Sequence, residues 1–213
     1  MIYLIIMILC SYLMGSIPTS IISSKLLKGI DIREYGSGNA GATNVFRVMG
    51  WKAGIAVLIL DMAKGFIPTV LFYKIGLKGV DWPIINLQIL AGISAIFGHI
   101  WTIFAGFKGG KGVGTGAGML IGLAPLSVAV GIVIFLIVVT ISRFVSLGSI
   151  LASISVPITI VMQNQSQNSF PLQLFILSLF VPALIIYTHR KNIQRLIKGE
   201  ESKIQFGNKN NKE

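Results

Sequence analysis

Seven apolar runs, each bounded by glycine, proline or charge, fill most of this 213-residue chain. They are Ile2–Ser24, Trp51–Tyr73, Pro83–Phe104, Gly112–Leu123, Pro125–Ser142, Ser146–Met162 and Pro171–Thr188. A hydrocarbon layer ~30 Å thick takes about 20 helical residues to cross, and most of these runs are near that length. In lipid every backbone N–H and C=O must be paired within the chain, so only helices and closed barrels can span it. The runs are continuously apolar and lack the period-two alternation of barrel strands. An all-α, polytopic integral membrane protein of about seven transmembrane helices is therefore expected, one of them short. Composition agrees: 54% of the residues are apolar and the mean hydropathy is +0.80, well beyond soluble chains. No stretch is left for a separate soluble domain, so residues 1–204 read as one membrane-embedded domain. Residues 205–213 read as a polar tail, ending FGNKNNKE, of disordered composition.

Charge sets the expected topology. The first run has no basic residue before it and Lys25 and Lys28 just after it, the reverse of a cleavable signal, and reads as a retained anchor. Gly112–Leu123 spans only about 18 Å at ~1.5 Å per residue, too little to cross alone. Joining it to the next run would put Arg190, Lys191, Arg195 and Lys198 outside, against the positive-inside tendency. Splitting at the Gly122–Pro125 break instead places the loop Lys25 to Lys52, Lys108, Lys111, Arg143 and the C-terminus on one cytoplasmic side, leaving Lys74 and Lys78 opposite. The N-terminus is then outside, as is the polar loop QNQSQNS, Gln163 to Ser169. The net charge of +11 is read through this topology rather than as a nucleic-acid surface. A single cysteine, Cys10, excludes disulfides within the chain and makes a metal cluster unexpected. Trp51, Trp82 and Trp101 lie near helix ends, as interfacial anchors do.

Three polar segments fall on the cytoplasmic side: GSGNAGATNVFR (Gly36 to Arg47), GHIWTIFAGFKGGKGVGTGAG (Gly98 to Gly118), and RFVSLGS (Arg143 to Ser149) together with THRKN (Thr188 to Asn192). The first makes poor helix, poor strand and poor core. Glycines let successive N–H groups turn onto one concave face that binds anions, and hydroxyls and arginine forks complete such a nest. Phosphate is the chemistry implied. Gly36, Gly38 and Gly41 fit G-x-G-x-x-G, but the preceding DIREY is no buried strand and Asp61 lies inside a membrane helix, so dinucleotide binding is rejected. Gly106 to Lys111 is one residue short of a P-loop, and Gly112 replaces its Ser/Thr, so ATP is not supported. Glycines that merely allow tight turns and close helix packing are the plainer reading. It weakens when three loops on one side each add basic groups that packing does not require.

GSGNAGATNVFR, GFKGGKGVGTGAG and the final HRKNIQRLIKGEE resemble the bacterial acyl-phosphate:glycerol-3-phosphate acyltransferases, the PlsY family. The likeness runs from the first helix to about Glu201. It implies a seven-helix, cytoplasm-facing enzyme of the bacterial inner membrane that moves a fatty acyl group from acyl phosphate to the 1-position of glycerol 3-phosphate, giving lysophosphatidic acid. No cofactor or metal is implied, nor a thioester donor, though a functional link to an acyl-phosphate-forming enzyme is. The H-x-x-x-x-D signature of the larger acyltransferase superfamily is missing after both histidines.

Position by position, the resemblance implies that Ser37 and Arg47 hold the glycerol 3-phosphate phosphate, joined by His189 and Asn192, which share one face of a helix end. Asn39, Gly41, Thr43 and Asn44 would shape the first loop and donate to acyl phosphate. Lys108 and Lys111, with the amides from Gly109 to Gly114 (Gly109, Gly110 and Gly112 among them), would neutralise the departing phosphate, the choice between the two lysines being left open, and Arg143 and Ser149 would add further contacts, with Ser146 the alternate. His189 is either a general base or, in a substrate-assisted route, a positioning group. His99 either braces the loops or touches substrate. Asp61 and Lys64, i and i+3 within a membrane helix, are expected to form a buried ion pair bracing the fold. A carrier for an organic phosphate or lipid headgroup is the competing class, but carriers commonly show internal repeats and midplane sites, and here no repeat is visible and the polar groups gather at one face. A scaffold for other lipid enzymes is a third reading.

Overall fold

The computed structural model describes residues 1–164 and 172–205, which contain helices and turns and no strand. Most of the QNQSQNS loop and all of FGNKNNKE lie outside the described residues. The helices are α1 (Ile2–Ser16), α2 (Thr19–Lys28), α3 (Ala42–Met49), α4 (Trp51–Ile67), α5 (Tyr73–Gly76), α6 (Ile84–Ile100), α7 (Val113–Leu123), α8 (Pro125–Ser142), α9 (Val145–Asn164), α10 (Leu172–Thr188) and α11 (Arg190–Ile197). Five helical runs are long and apolar enough to cross a membrane, and α10 with α11, bent by 62°, makes a sixth if counted as one span. α7, with 11 residues, rises only about 16 Å. The break before Pro125 is real: Ala124, at φ −148° and ψ 65°, separates α7 from α8.

Two expectations need correction. The first apolar run is two helices, because Pro18 lacks an N–H and biases the preceding Ile17 out of the helical region, to ψ 113°. The carbonyls freed there are taken up across the fold: Thr102 Oγ1 donates to Ser16 O, and Lys64 Nζ donates to Ile17 O at 2.8 Å. The second correction concerns GSGNAGATNVFR, whose latter half is helical. Gly41 ends the extended segment and α3 begins at Ala42, with the apolar Val45 turned into a buried cluster against Ile21, Ile32 and Val57.

Burial runs opposite to a soluble fold. Ile132, Ile137 and Ile141 of α8 face outward, whereas Ser11, Thr69, Asp61, Lys64 and His99 are buried between helices. Leucine gains nothing by leaving lipid, so close backbone packing and polar contacts hold the helices together. α4 meets α7 where Gly65 lies on the Thr115 backbone and Gly118 on that of Met62, and α1 meets α6 where Gly98 lies on Tyr12 and Ser16. A tight apolar cluster of Ile96, Met119, Val156, Ile160, Leu177 and Val181 ties α6, α7, α9 and α10 together. These contacts bring the loop before α3, the turn before α7 and the α10–α11 corner to one end of the bundle.

Candidate active site

A cavity of about 430 Å³ opens at that end. Its polar wall carries Ser37, Asn39, Gly41, Thr43, Asn44 and Arg47 from the first segment, Lys111 and Gly114 from the second, and Ser146, Ser149, His189 and Asn192 from the third. Its apolar wall is made by Ile55 and Leu58 of α4 and by Phe135, Leu136 and Val139 of α8.

Local geometry decides what each side chain can offer. Asn44 is buried and fully committed: its amide donates to Ile32 O (3.0 Å) and Tyr35 O (2.9 Å), and its Oδ1 accepts from Ser37 N (2.9 Å). It shapes the loop and has no hydrogen left for acyl phosphate, which corrects that half of its expected role. Gly36, at φ +60°, presses on this Asn44 amide, and a Cβ there would overlap Oδ1. Arg47 projects from α3 into the cavity half-buried, and its Nε is buried with no hydrogen-bond partner among the described residues. Burial lowers its pKa from the ordinary arginine value, against the pull of Glu201 and with the push of Arg195. A buried guanidinium with an open donor is suited to an anion.

The glycine turn contributes Lys111 but not Lys108. Lys108 is exposed and outside the cavity wall. Gly109 N is bonded to Ile100 O and Gly110 N to His99 O, both at 3.0 Å, so these two amides are spent on the turn. Neither they nor the buried Gly112 line the cavity, contrary to what the resemblance had led one to expect. Of the expected stretch of amides, the part that borders the cavity is the first turn of α7, at Val113 and Gly114, which offers a donor surface because the leading amides of a helix have no intrahelical partner. Lys111 Nζ donates to Asn192 Oδ1, and its carbonyl accepts from Thr188 Oγ1 at 3.0 Å. Burial pushes the lysine down to about 8; Glu201 opposes this, and Arg195 and Arg47 add to it.

His189 sits at the corner between α10 and α11, 3% exposed. Its Nδ1 lies 2.8 Å from Ile185 O. A carbonyl can only accept, so Nδ1 carries the proton and Nε2 keeps its lone pair. Burial, then the Lys111 charge, pull this histidine down to about 4, so it is neutral near pH 7. Of the third segment's other groups, Ser149 Oγ donates back to Val145 O (2.9 Å) while its residue lines the cavity. Arg143 ends α8 in a left-handed turn (φ +62°) and is exposed outside the wall, which corrects its placement. Its carbonyl instead accepts from Ile204 N at 2.8 Å.

The sequence reading missed Glu201, which organises the third segment. Gly199 (φ +72°) turns the chain back, and the Glu201 carboxylate accepts from Asn192 Nδ2 (2.6 Å), Ser146 Oγ (2.7 Å) and Arg195 Nε (2.8 Å). Burial works against its ionisation, but these donors overcome it and hold the carboxyl below its ordinary range. An acid closing the otherwise basic HRKNIQRLIKGEE was the available signal.

Residues 5–199 match the family model described as glycerol-3-phosphate acyltransferase. The glycerol-3-phosphate acyltransferase of Chlorobaculum tepidum is 52% identical over 95% of this chain and 97% of its own, and that of Chlorobaculum parvum is 50% identical over 92% and 94%. The chain belongs to the glycerol-3-phosphate acyltransferase family. The crystal structure of PlsY, an integral membrane glycerol 3-phosphate acyltransferase, in its glycerol 3-phosphate form superposes with a TM-score of 0.83, is 37% identical and covers 95% of this chain and 96% of its own. Its lysophosphatidic acid form gives 0.81 at 36% identity, covering 95% of each chain. The resemblance read from the three motifs therefore holds, and this acyltransferase is an all-α, multi-pass integral membrane protein.

Beneath the cavity the acyltransferase buries a second polar group. Lys64 Nζ lies 2.7 Å from Asp61 Oδ1, and Asp61 Oδ1 accepts from Thr19 Oγ1 at 2.5 Å. Lys64 also reaches Thr19 Oγ1 (3.3 Å) and His99 Nδ1 (3.4 Å). The expected ion pair is present, and Asp61 and His99 also border the cavity.

Proposed function

We propose that this acyltransferase moves a fatty acyl group from acyl phosphate to the 1-hydroxyl of glycerol 3-phosphate, releasing lysophosphatidic acid and inorganic phosphate. The hydroxyl oxygen bonds to the acyl carbon, the acyl carbon–oxygen bond to phosphate breaks, and the departing phosphate takes the hydroxyl proton. Acyl phosphate is a mixed anhydride with a good leaving group, so alignment and stabilisation of developing charge supply most of the catalysis. One observation carries this reading: a single cavity joins an anion-binding wall of Ser37, Arg47, Lys111, His189 and Asn192 to an apolar wall of Ile55, Leu58, Phe135 and Leu136. Two phosphates and one acyl chain need that pairing.

In this reading Ser37 and Arg47 hold the glycerol 3-phosphate phosphate, with Asn192 and the Nε2 lone pair of His189 orienting the glycerol. Asn39, Gly41, Thr43, Ser149, Lys111 and the first turn of α7 face the acyl-phosphate phosphate. His189 is neutral with an accessible lone pair, which suits accepting a hydrogen bond from the attacking hydroxyl. In this reading the site faces the cytoplasm from the bacterial inner membrane, with the N-terminus outside, and the gathering of basic residues in the loops on the site's side supports that orientation. That placement also lets an acyl-phosphate-forming enzyme deliver its product directly. The test is a donor comparison on purified protein. Transfer from acyl phosphate far faster than from acyl-CoA or acyl carrier protein is expected; the opposite order refutes the donor.

A further inference from the structure

We propose that His99 is a positioning residue, locked by the Asp61–Lys64 pair in its Nε2–H form beneath Gly110, so that it holds the turn carrying Lys111 in register with the cavity. The inference rests on the acyl-phosphate reading above for its kinetic readout only. Lys64 Nζ donates to Asp61 Oδ1 (2.7 Å) and Ile17 O (2.8 Å), and its third hydrogen is shared between Thr19 Oγ1 (3.3 Å) and His99 Nδ1 (3.4 Å), while Asp61 Oδ1, 3.7 Å from Nδ1, lies beyond hydrogen-bond reach of the ring. An ammonium has hydrogens and no lone pair, so Nδ1 must be the accepting nitrogen and the ring proton sits on Nε2. His189 carries the opposite form, fixed by Ile185 O. The two histidines of this chain thus present opposite faces, His99 a donor and His189 a lone pair.

The ring is a floor for the glycine turn. Gly110 lies so close over it that a Cβ would overlap Nε2, and a Cβ on Gly109 would overlap the His99 carbonyl oxygen. That carbonyl and the next accept from Gly110 N and Gly109 N at 3.0 Å, so side chain and backbone of one helix end both grip the turn. Beside it, a Cβ on Gly114 would lie 3.1 Å from Asp61 Cβ, which seats the first turn of α7 on the same ion pair. Lys111 is carried between these supports. The freed Ile17 carbonyl at the α1–α2 break completes the cluster, which links the break in the first span to the loop that meets phosphate.

The test separates the two ends of the imidazole. His99→Gln keeps a nitrogen near the Nε2 position beneath Gly110, and His99→Asn keeps an acceptor near Nδ1 but leaves the turn unsupported. The KM for acyl phosphate is expected to rise about tenfold or more in His99→Ala and His99→Asn and within about threefold in His99→Gln, while the KM for glycerol 3-phosphate moves less than about threefold, a tenfold change being one decade of affinity. An unchanged KM in His99→Ala, equal effects of Gln and Asn, or equal shifts for both substrates overturns the proposal. Nitrogen-15 spectra of the imidazoles provide a readout independent of turnover. His99 should show a protonated Nε2 and an unprotonated Nδ1, and the reverse pattern overturns the proposal. Should the parent protein transfer nothing from acyl phosphate, the proposed function fails while the spectra still decide this one.

Discussion

Lys111 donates a hydrogen bond to the Asn192 side-chain oxygen, joining segments 81 residues apart, and Asn192 passes the connection to Glu201 at 2.6 Å. A basic turn, a polar helix end and an acid that neither needs alone become one unit. The start of α7 and the α10–α11 corner, separated in sequence by α8 and α9, are thereby linked at the site.

The partly buried Lys111 gives the reaction an alkaline limb. Its folded pKa of about 8 lies below the ordinary lysine value, so the ammonium is present below pH 8 and lost above it. The kcat/KM for acyl phosphate should fall as pH rises through about 8, and Lys111→Met should abolish that limb. His189, held at about 4, stays neutral throughout, so an inflection near the ordinary histidine value in the parent would contradict its placement.

Arg47→Lys keeps a charge but loses the planar fork. About 1–2 kcal/mol of phosphate binding should go, a five- to thirtyfold rise in the KM for glycerol 3-phosphate, with a smaller change for acyl phosphate. Steady-state titration of each substrate checks it; equal rises would remove Arg47 from its assigned partner.

Asn44 acts through the fold. Asn44→Ala leaves Ile32 O, Tyr35 O and Ser37 N without this partner. Unpaired buried groups cost about 1–3 kcal/mol, so a lowered thermal midpoint in detergent is expected, with lost activity tracking lost folded protein.

The α4–α7 contact permits no larger side chain. In Gly118→Ala the new methyl meets the Met62 backbone rather than a movable side chain. Overpacking of this kind costs about 1–3 kcal/mol, and thermal unfolding of the variant should show it.

Glu201 predicts an acid sensitivity. A carboxylate held below its ordinary 4.5 by Asn192, Ser146 and Arg195 adds stability above that value and loses it as pH falls through the depressed one. Thermal midpoints of the parent should therefore drop more steeply below about pH 4.5 than those of Glu201→Gln, which has no such proton to take up. Parallel curves would show that Glu201 contributes no such pH-dependent stability.

The helices were legible because lipid imposes one rule, internal pairing of every backbone group, and the runs ending at Ser142 and Thr188 stop where expected. Pro18 was legible too, yet its break was read through because no charge falls between Ile2 and Ser24 and the small hydroxyl residues Ser16, Thr19 and Ser20 beside it are tolerated within an apolar run. The half-helical character of GSGNAGATNVFR was hidden by local propensity: Asn44 is a poor helix former in isolation, but its side chain closes the preceding turn. The site residues that the fold brings together, the charged Arg47 and Lys111 and the uncharged Ser37, Asn39, Thr43 and Asn192 among them, are those that line the cavity. Lys108, Gly109, Gly110, Gly112 and Arg143 share the motifs but lie outside the cavity wall, Gly109 and Gly110 with their amides spent on the turn and Lys108 and Arg143 exposed. Glu201 escaped because its role depends on a reversal at Gly199 that no periodicity announces.

The central claim is that one cavity aligns two phosphate-bearing reactants for a single bond exchange. Purified protein given acyl-labelled acyl phosphate and glycerol 3-phosphate measures this directly. Labelled lysophosphatidic acid formed with one inorganic phosphate per product is the predicted result; phosphate released without labelled product, or no transfer at all, would contradict it.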